Sequence, residues 1–215
     1  MSRRQARVSL ARYSERLGYQ LAAHHRLILS ELEALERGDI DRLALFLPPG
    51  SAKSTYGSVL FPQWLLGRNP HLSIIGVSHT AELAERFGRR VRNAIASPEY
   101  SAVFPSTALS PDSQAAGRWD TTAGGEYFAA GVGGPITGRR ADFGLIDDPV
   151  RSREDADSER IRETTWQWYL NDFLTRLKPG ARQLLIMTRW HEDDLGGRIL
   201  ERERDKWRGV SLPML

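Results

Sequence analysis

The chain has 215 residues, with 30 Lys and Arg against 27 Asp and Glu, a net charge of +3. Hydrophobic residues make up 40% and charged residues 27%, the balance of an ordinary globular protein of about one domain. This excludes a histone-like polycation, and the lack of cysteine excludes a disulfide scaffold, a thiolate zinc site and a cysteine nucleophile. No apolar run approaches the roughly 18 residues of a membrane helix. The opening Met1-Ser2-Arg3-Arg4 leads into polar sequence without the apolar core of a secretory leader. Only Lys53, Lys178 and Lys206 are lysines; every other basic residue is arginine.

Leu17, Leu21, Leu27, Ile28, Leu32 and Leu35 recur at near-helical spacing and predict a helix over 5–37, ended by Gly38-Asp39. Leu43 to Leu47 is a continuous apolar run, as in a buried parallel strand. Pro48-Pro49-Gly50-Ser51 breaks it, and Lys53 to Leu66 reads as helix. Leu72 to Val77 is a second strand and Thr80 to Ile95 a second helix. Residues 98–118, rich in Ser and Pro, read as loop. Glu126 to Val132 reads as a strand before the Gly-rich 131–138, and Phe143 to Asp147 as a strand ending on acid. Glu154 to Leu177 reads as one long polar helix with Trp166, Tyr169, Leu170 and Phe173 on one face, stopped by Pro179-Gly180. Gln183 to Met187 is a strand, Glu192 to Glu203 a helix, and Val210 to Leu212 a last strand. Strands alternating with helices predict an α/β fold with a parallel sheet covered on both faces.

Two segments carry chemistry. Pro49, Gly50, Ser51, Ala52, Lys53, Ser54 and Thr55 join a buried strand to a helix. Lys53-Ser54 matches the end of the phosphate-loop pattern G-x-x-x-x-G-K-[ST], but Leu47 and Ala52 stand at its two glycines. Backbone N–H groups at such a helix start favour phosphate. Lys53 would reach the phosphates as a compact charge, and the Ser54 hydroxyl would ligate Mg²⁺. The second segment is Phe143 to Pro149. Its strand would carry Asp147 to the carboxyl edge of the sheet, there to hold Mg²⁺ through water, with Asp148 polarising an attacking water.

With these segments in order, the sequence resembles the large terminase subunit of tailed bacteriophages, the ATP-driven DNA-packaging motor, over roughly residues 20–215. The resemblance is carried by His24 to Ile28, Leu47 to Ser54, Ser78 to Ala84 with Arg89 to Arg92, Ile136 to Asp142, Leu145 to Pro149 and Thr188 to Leu195. It implies a P-loop NTPase domain, a three-layer α/β/α fold with a mainly parallel sheet of the additional-strand type. An added strand would then lie between the phosphate-loop strand and the acidic strand. Thr188 would stand beside the γ-phosphate as the coupling residue, and Arg139, slightly ahead of Arg140, would be an arginine finger for a neighbouring subunit. His24 and His25 fall where the family packs near adenine, although a surface role suits them better. Most such ATPases place Glu where Asp148 stands.

The implied substrate is ATP with Mg²⁺ as cofactor. The implied partners are double-stranded DNA held by its backbone, a portal protein, a small terminase subunit and further copies of this chain in a ring. The implied setting is the host cytoplasm, with no membrane. Residues 1–40 would be a helical lead-in and 41–215 the ATPase domain; the tail Trp207 to Pro213 resembles the hand-over to the family's nuclease domain, which is expected to be absent. Arg86, Arg89, Arg90 and Arg92 have few acids beside them and would face DNA phosphates, whereas Arg151, Arg153, Arg160 and Arg162 alternate with acids as on a solvated face. His191 to Asp194 reads as a helix start, not a metal cluster. Two alternatives stay open: a helicase-like ATPase without packaging, and a degenerate nucleotide-binding or assembly module that does not hydrolyse.

Overall fold

The computed structural model describes residues 2–212. Met1 and Pro213 to Leu215, and with them the first residue of the leader reading and the last of the tail resemblance, lie outside the described residues.

The amino-terminal helix predicted over 5–37 is three helices: α1 (Arg3–Val8), α2 (Leu10–Arg16) and α3 (Ala23–Arg37). Ser9 ends the first and caps the second, its hydroxyl accepting from the Arg12 N–H. Gly18, at φ +90°, then turns the chain out of helix. Strand β1 (Arg42–Phe46) leads into the turn at 47–53, then a π-helical stretch at Thr55–Leu60 and α4 (Phe61–Arg68). Next come β2 (Ser73–Ser78) and α5 (Ala81–Ile95).

The supposed loop at 98–118 holds a helix and most of a hairpin: α6 (Pro98–Val103), β3 (Leu109–Gln114) and β4 (Arg118–Thr121). Hydrophobic alternation is weak there because β3 lies largely exposed at the sheet edge. Trp119 anchors β4, stacking on Tyr127 with ring centroids 5.1 Å apart and donating its indole N–H to Gly88 O at 3.1 Å.

After β5 (Glu126–Gly131) and β6 (Ala141–Asp147), the long helix predicted over 154–177 splits. Ser158 ends α7 (Arg153–Asp157) and caps α8 (Glu159–Trp168), which runs on through a π-helical turn and a 3-10 turn to Arg176. Pro179-Gly180 does not stop that helix; it lies inside β7 (Leu177–Met187), where the pairing register with β6 shifts. The chain closes with α9 (Leu195–Arg202) and β8 (Arg208–Ser211).

The eight strands form one sheet in the order β3-β4-β5-β2-β6-β7-β1-β8. From β5 across to β8 in that order the neighbours pair in parallel, and β3 and β4 add an antiparallel edge. Alternate residues feed two cores, following the period of two along a strand. Leu43, Leu45, Ile74 and Leu145 face α3, α4 and α5; Ala44, Phe46, Ile75 and Ile146 face α8 and α9. The result is a three-layer α/β/α sandwich of the P-loop NTPase-like kind. Leu10, Tyr13, Ile28 and Leu32 join the first core: α3 packs on β1, while α1 and α2 pack over α4. Among the described residues no helix is long and apolar enough to cross a membrane.

Candidate nucleotide site

Three strand ends define the site. Strand β7 lies between β1 and β6, pairing in parallel with both, so the predicted added strand is in place. The turn after β1 supplies Lys53, the end of β6 supplies Asp147 and Asp148, and the end of β7 supplies Thr188. All four lie at the carboxyl edge of the sheet, where open α/β sheets hold ligands.

Lys53 is 8% exposed. Its Nζ is 3.0 Å from Asp148 Oδ2 and donates to Thr188 Oγ1 at 3.1 Å. The Thr188 N–H donates to Asp148 Oδ1 at 2.9 Å, and its hydroxyl donates to Leu47 O at 3.2 Å. Thr188 does not cap the following helix; Asp194 does, accepting from the Gly197 N–H at 2.9 Å. Lysine, threonine and carboxylate thus form a closed ring between the phosphate-loop turn and two strand ends.

The turn itself is bent into left-handed backbone at Gly50, φ +81°, and at Ala52, φ +59°. A Cβ makes that region costly by about 1–2 kcal/mol, which accounts for glycine at this place in the pattern. Replacement Ala52→Gly is therefore expected to stabilise the chain by about 0.5–1 kcal/mol, a rise in Tm of about 1–4 °C in a thermal melt. The Ser51 hydroxyl in the same turn is enclosed and without a partner among the described residues, an acceptor-seeking group aimed nowhere in the protein.

Asp147 is 1% exposed. Its Oδ2 accepts from the Ser58 hydroxyl at 2.5 Å, and the Ser54 hydroxyl lies within hydrogen-bonding reach of the same carboxylate. Its Oδ1 is buried with no partner among the described residues. Burial first, and the Asp148 charge second, push the Asp147 carboxyl up to about 7, against the pull of Ser58, Ser54 and Lys53. An orphaned carboxylate oxygen beside a serine hydroxyl is an all-oxygen donor set, which fits Mg²⁺. Ionised Asp147 is a burden on the free chain. That burden is absent below the ordinary carboxyl pKa near 4, grows as pH rises, and is complete above about 7. Asp147→Asn is therefore expected to raise Tm by several degrees at pH 8 in metal-free buffer, a gain of roughly 2–4 kcal/mol, and by about a quarter of that at pH 4.5.

Sequence reasoning missed three neighbours. Ser58 reaches Asp147 only because the helix after the turn starts π-wound, with the Phe61 N–H bonded back to Tyr56 O. A Cβ on Gly57 would collide with Ile186, so this stretch packs on β7 at glycine distance. His79, just past the end of β2, sets its N–H and its ring Nδ1 each 3.2 Å from Asp148 O. Tyr56 meets the His25 ring at a tilt of 39° with centroids 4.6 Å apart, and His25 in turn meets the backbone of Ser51. His25 and His24 are ring neighbours at 3.9 Å; burial and the neighbouring ring hold His25 below the ordinary imidazole range.

Arg139 and Arg140 are not at this edge. They precede β6, and Arg139 pairs at 2.7 Å with Glu126, the first residue of β5, while its guanidinium lies over Phe128. That is the opposite edge of the sheet, about 20 Å from Asp147 at the rise of a strand. Arg140 is exposed and has no partner among the described residues. Arg151 and Arg153 pair with Asp155 and Asp157 and, like Arg160, are exposed, as expected of a solvated face; Arg162 departs from it, its side chain only 10% exposed and reaching across to Asp193 at 3.0 Å. Among the described residues there is no metal-type cluster of three or more His, Cys, Asp or Glu.

A sheet with a basic turn after one strand, an acidic end on another and a third strand between them defines a P-loop NTPase-like protein. Within that class, the model of the terminase large subunit, T4likevirus-type, N-terminal family matches residues 45–215. The chain belongs to this family, the large subunits of DNA-packaging terminases. No match was found among curated proteins.

Proposed function

We propose that this chain is the ATPase motor part of a terminase large subunit, hydrolysing ATP to drive double-stranded DNA into a procapsid. The observation that supports this best is the ring of Lys53, Asp148 and Thr188, three groups of complementary chemistry held within 3.1 Å across three strand ends. Pro49 to Thr55 would wrap the phosphates with backbone N–H groups, Ser51 adding its free hydroxyl. Lys53 would turn from Asp148 to the β- and γ-phosphates. Asp148, released, would orient the water for in-line attack. Thr188, bonded to both, would register whether the γ-phosphate is present. Ser54 and Asp147 would hold Mg²⁺, with Ser58 fixing the Asp147 carboxylate so that its free oxygen faces the ion. When bound, Mg²⁺ offsets charge on the phosphate oxygens. His25 and Tyr56 offer a ring surface next to the loop for the base.

An arginine finger from Arg139 or Arg140 would serve a neighbouring copy, because both stand at the far edge of their own sheet. Arg140 reaches out without breaking a pair; Arg139 would first leave Glu126. This reading puts the chain in a ring on the portal, with the small terminase subunit and DNA as partners, in the host cytoplasm. The test is Mg²⁺-dependent ATP turnover measured against protein concentration. Turnover per chain is expected to rise with concentration as copies meet, and Arg140→Ala is expected to flatten that rise. Equal, metal-independent rates at every concentration would remove the motor reading and favour a nucleotide-binding module.

A further inference from the structure

Resting on that motor reading, we propose that the outer face of α5 is the surface on which the chain holds the DNA backbone, through Arg86, Arg89 and Arg90. Ala84, Gly88, Val91 and Ile95 face the sheet, with Gly88 so close that a Cβ would press on Tyr127. The three arginines lie on the other side of the helix and are exposed.

Many other arginines are paired, and the unpaired ones among the described residues, such as Arg140 and Arg160, do not stand three together on one helix face. Arg12 meets Glu15, Arg37 meets Asp39, Arg151 meets Asp155 and Arg198 meets Glu163. Arg86, Arg89 and Arg90 make no ion pair or hydrogen bond among the described residues. Arg92, beside them, donates only to Gln114 O and the Asn93 amide. Glu82 and Glu85 share the helix, yet neither forms an ion pair with these arginines. Compensation of the helix dipole accounts for a cation in the last turn, such as Arg92, and not for Arg86 in the middle. Arg86 and Arg90 are one turn apart, about 6 Å along the axis, and Arg89 stands between them. Such a row suits phosphates along one strand, a contact that positions DNA without reading its sequence.

The helix also leads to the site. Its cap, Thr80, follows His79, which bonds Asp148 O. DNA held on α5 therefore bears on the residue next to the reacting phosphate.

The experiment uses the full chain and a duplex of roughly 30 base pairs, with affinity measured from about 50 to 200 mM salt. Arg86/Arg89/Arg90→Ala is expected to weaken binding at least about tenfold and to reduce the slope of log affinity against log salt by about 2.7, at ~0.9 for each phosphate left without its arginine. Arg12/Arg37/Arg153→Ala removes the same charge from paired positions and is expected to leave the slope within about 0.5 of the parent. Should the first variant melt early, Arg86→Gln and Arg90→Gln, each expected to lower the slope by about 1, carry the test. An unchanged slope, or an equal loss in the control, overturns the surface. A chain that turns over no ATP yet shows the slope change loses the motor reading and keeps the surface. Normal turnover with an unchanged slope does the reverse.

Discussion

Lys53→Ala is expected to cut ATP turnover by at least about 10²–10³-fold, the usual cost of removing one charge-stabilising donor at a reacting phosphate. The same change is expected to weaken nucleotide binding while leaving the melting temperature nearly in place. Two features separate these effects. Lys53 is buried against Asp148 and Thr188, yet the Asp148 side chain keeps 28% exposure, so losing its cation leaves it partly solvated. Thr188 also continues to donate to Asp148 and to hold Leu47 O. Lys53→Arg is expected to fare little better, because a planar fork does not fit an almost closed slot shaped for one ammonium. Steady-state turnover with thermal melts of the three proteins checks this. An unaffected rate in Lys53→Ala removes phosphate contact from its role.

That this lysine stands alone among nearby arginines was legible from composition, and so was the order of the strands that carry the site. Continuous apolar runs mark β1, β2, β6 and the end of β7 because parallel strands covered on both faces have no polar side to show. The position of β7 between β1 and β6 came from the family resemblance; no run of residues encodes neighbour order. Helix breaks were not legible. Ser9 and Ser158 look like ordinary polar positions on a long helix, and only their hydroxyls, capping the next helix, divide it. The edge hairpin was hidden for the opposite reason. With one face open to solvent, its alternation is diluted by Ser, Pro and Asp. In the site itself, Ser58 was invisible because a π-wound turn shifts which residues share a face.

The identity of Asp148 has a backbone reason. Its φ is +45°, a left-handed conformation that aspartate tolerates better than most residues. That bend lets the Asp148 N–H bond Ile186 O at 2.8 Å, its carbonyl accept from His79, and its carboxylate meet the Thr188 N–H at once. Asp148→Glu is expected to cost about 1 kcal/mol and to push the carboxylate one methylene past Thr188, lowering turnover instead of raising it.

Asp148→Asn gives the sharpest signature, because binding and turnover are expected to move in opposite directions. In the free chain the Lys53 ammonium is paired with Asp148, and under the proposed role an incoming γ-phosphate would compete with that carboxylate for it. Removing the carboxylate charge releases Lys53, so ATP is expected to bind several-fold more tightly. The same substitution removes the group that would orient water, so turnover is expected to fall about 10²–10⁴-fold. The amide oxygen still accepts from the Thr188 N–H, so the strand ends stay joined and the melt changes little. Binding measured with a non-hydrolysable ATP analogue, set beside steady-state turnover, decides the matter. If Asp148 only tied off the end of β6, both quantities would stay near those of the parent. If it served Mg²⁺ in place of Asp147, binding of Mg-nucleotide would weaken. Tighter binding with lost hydrolysis is the outcome the Lys53–Asp148 exchange predicts.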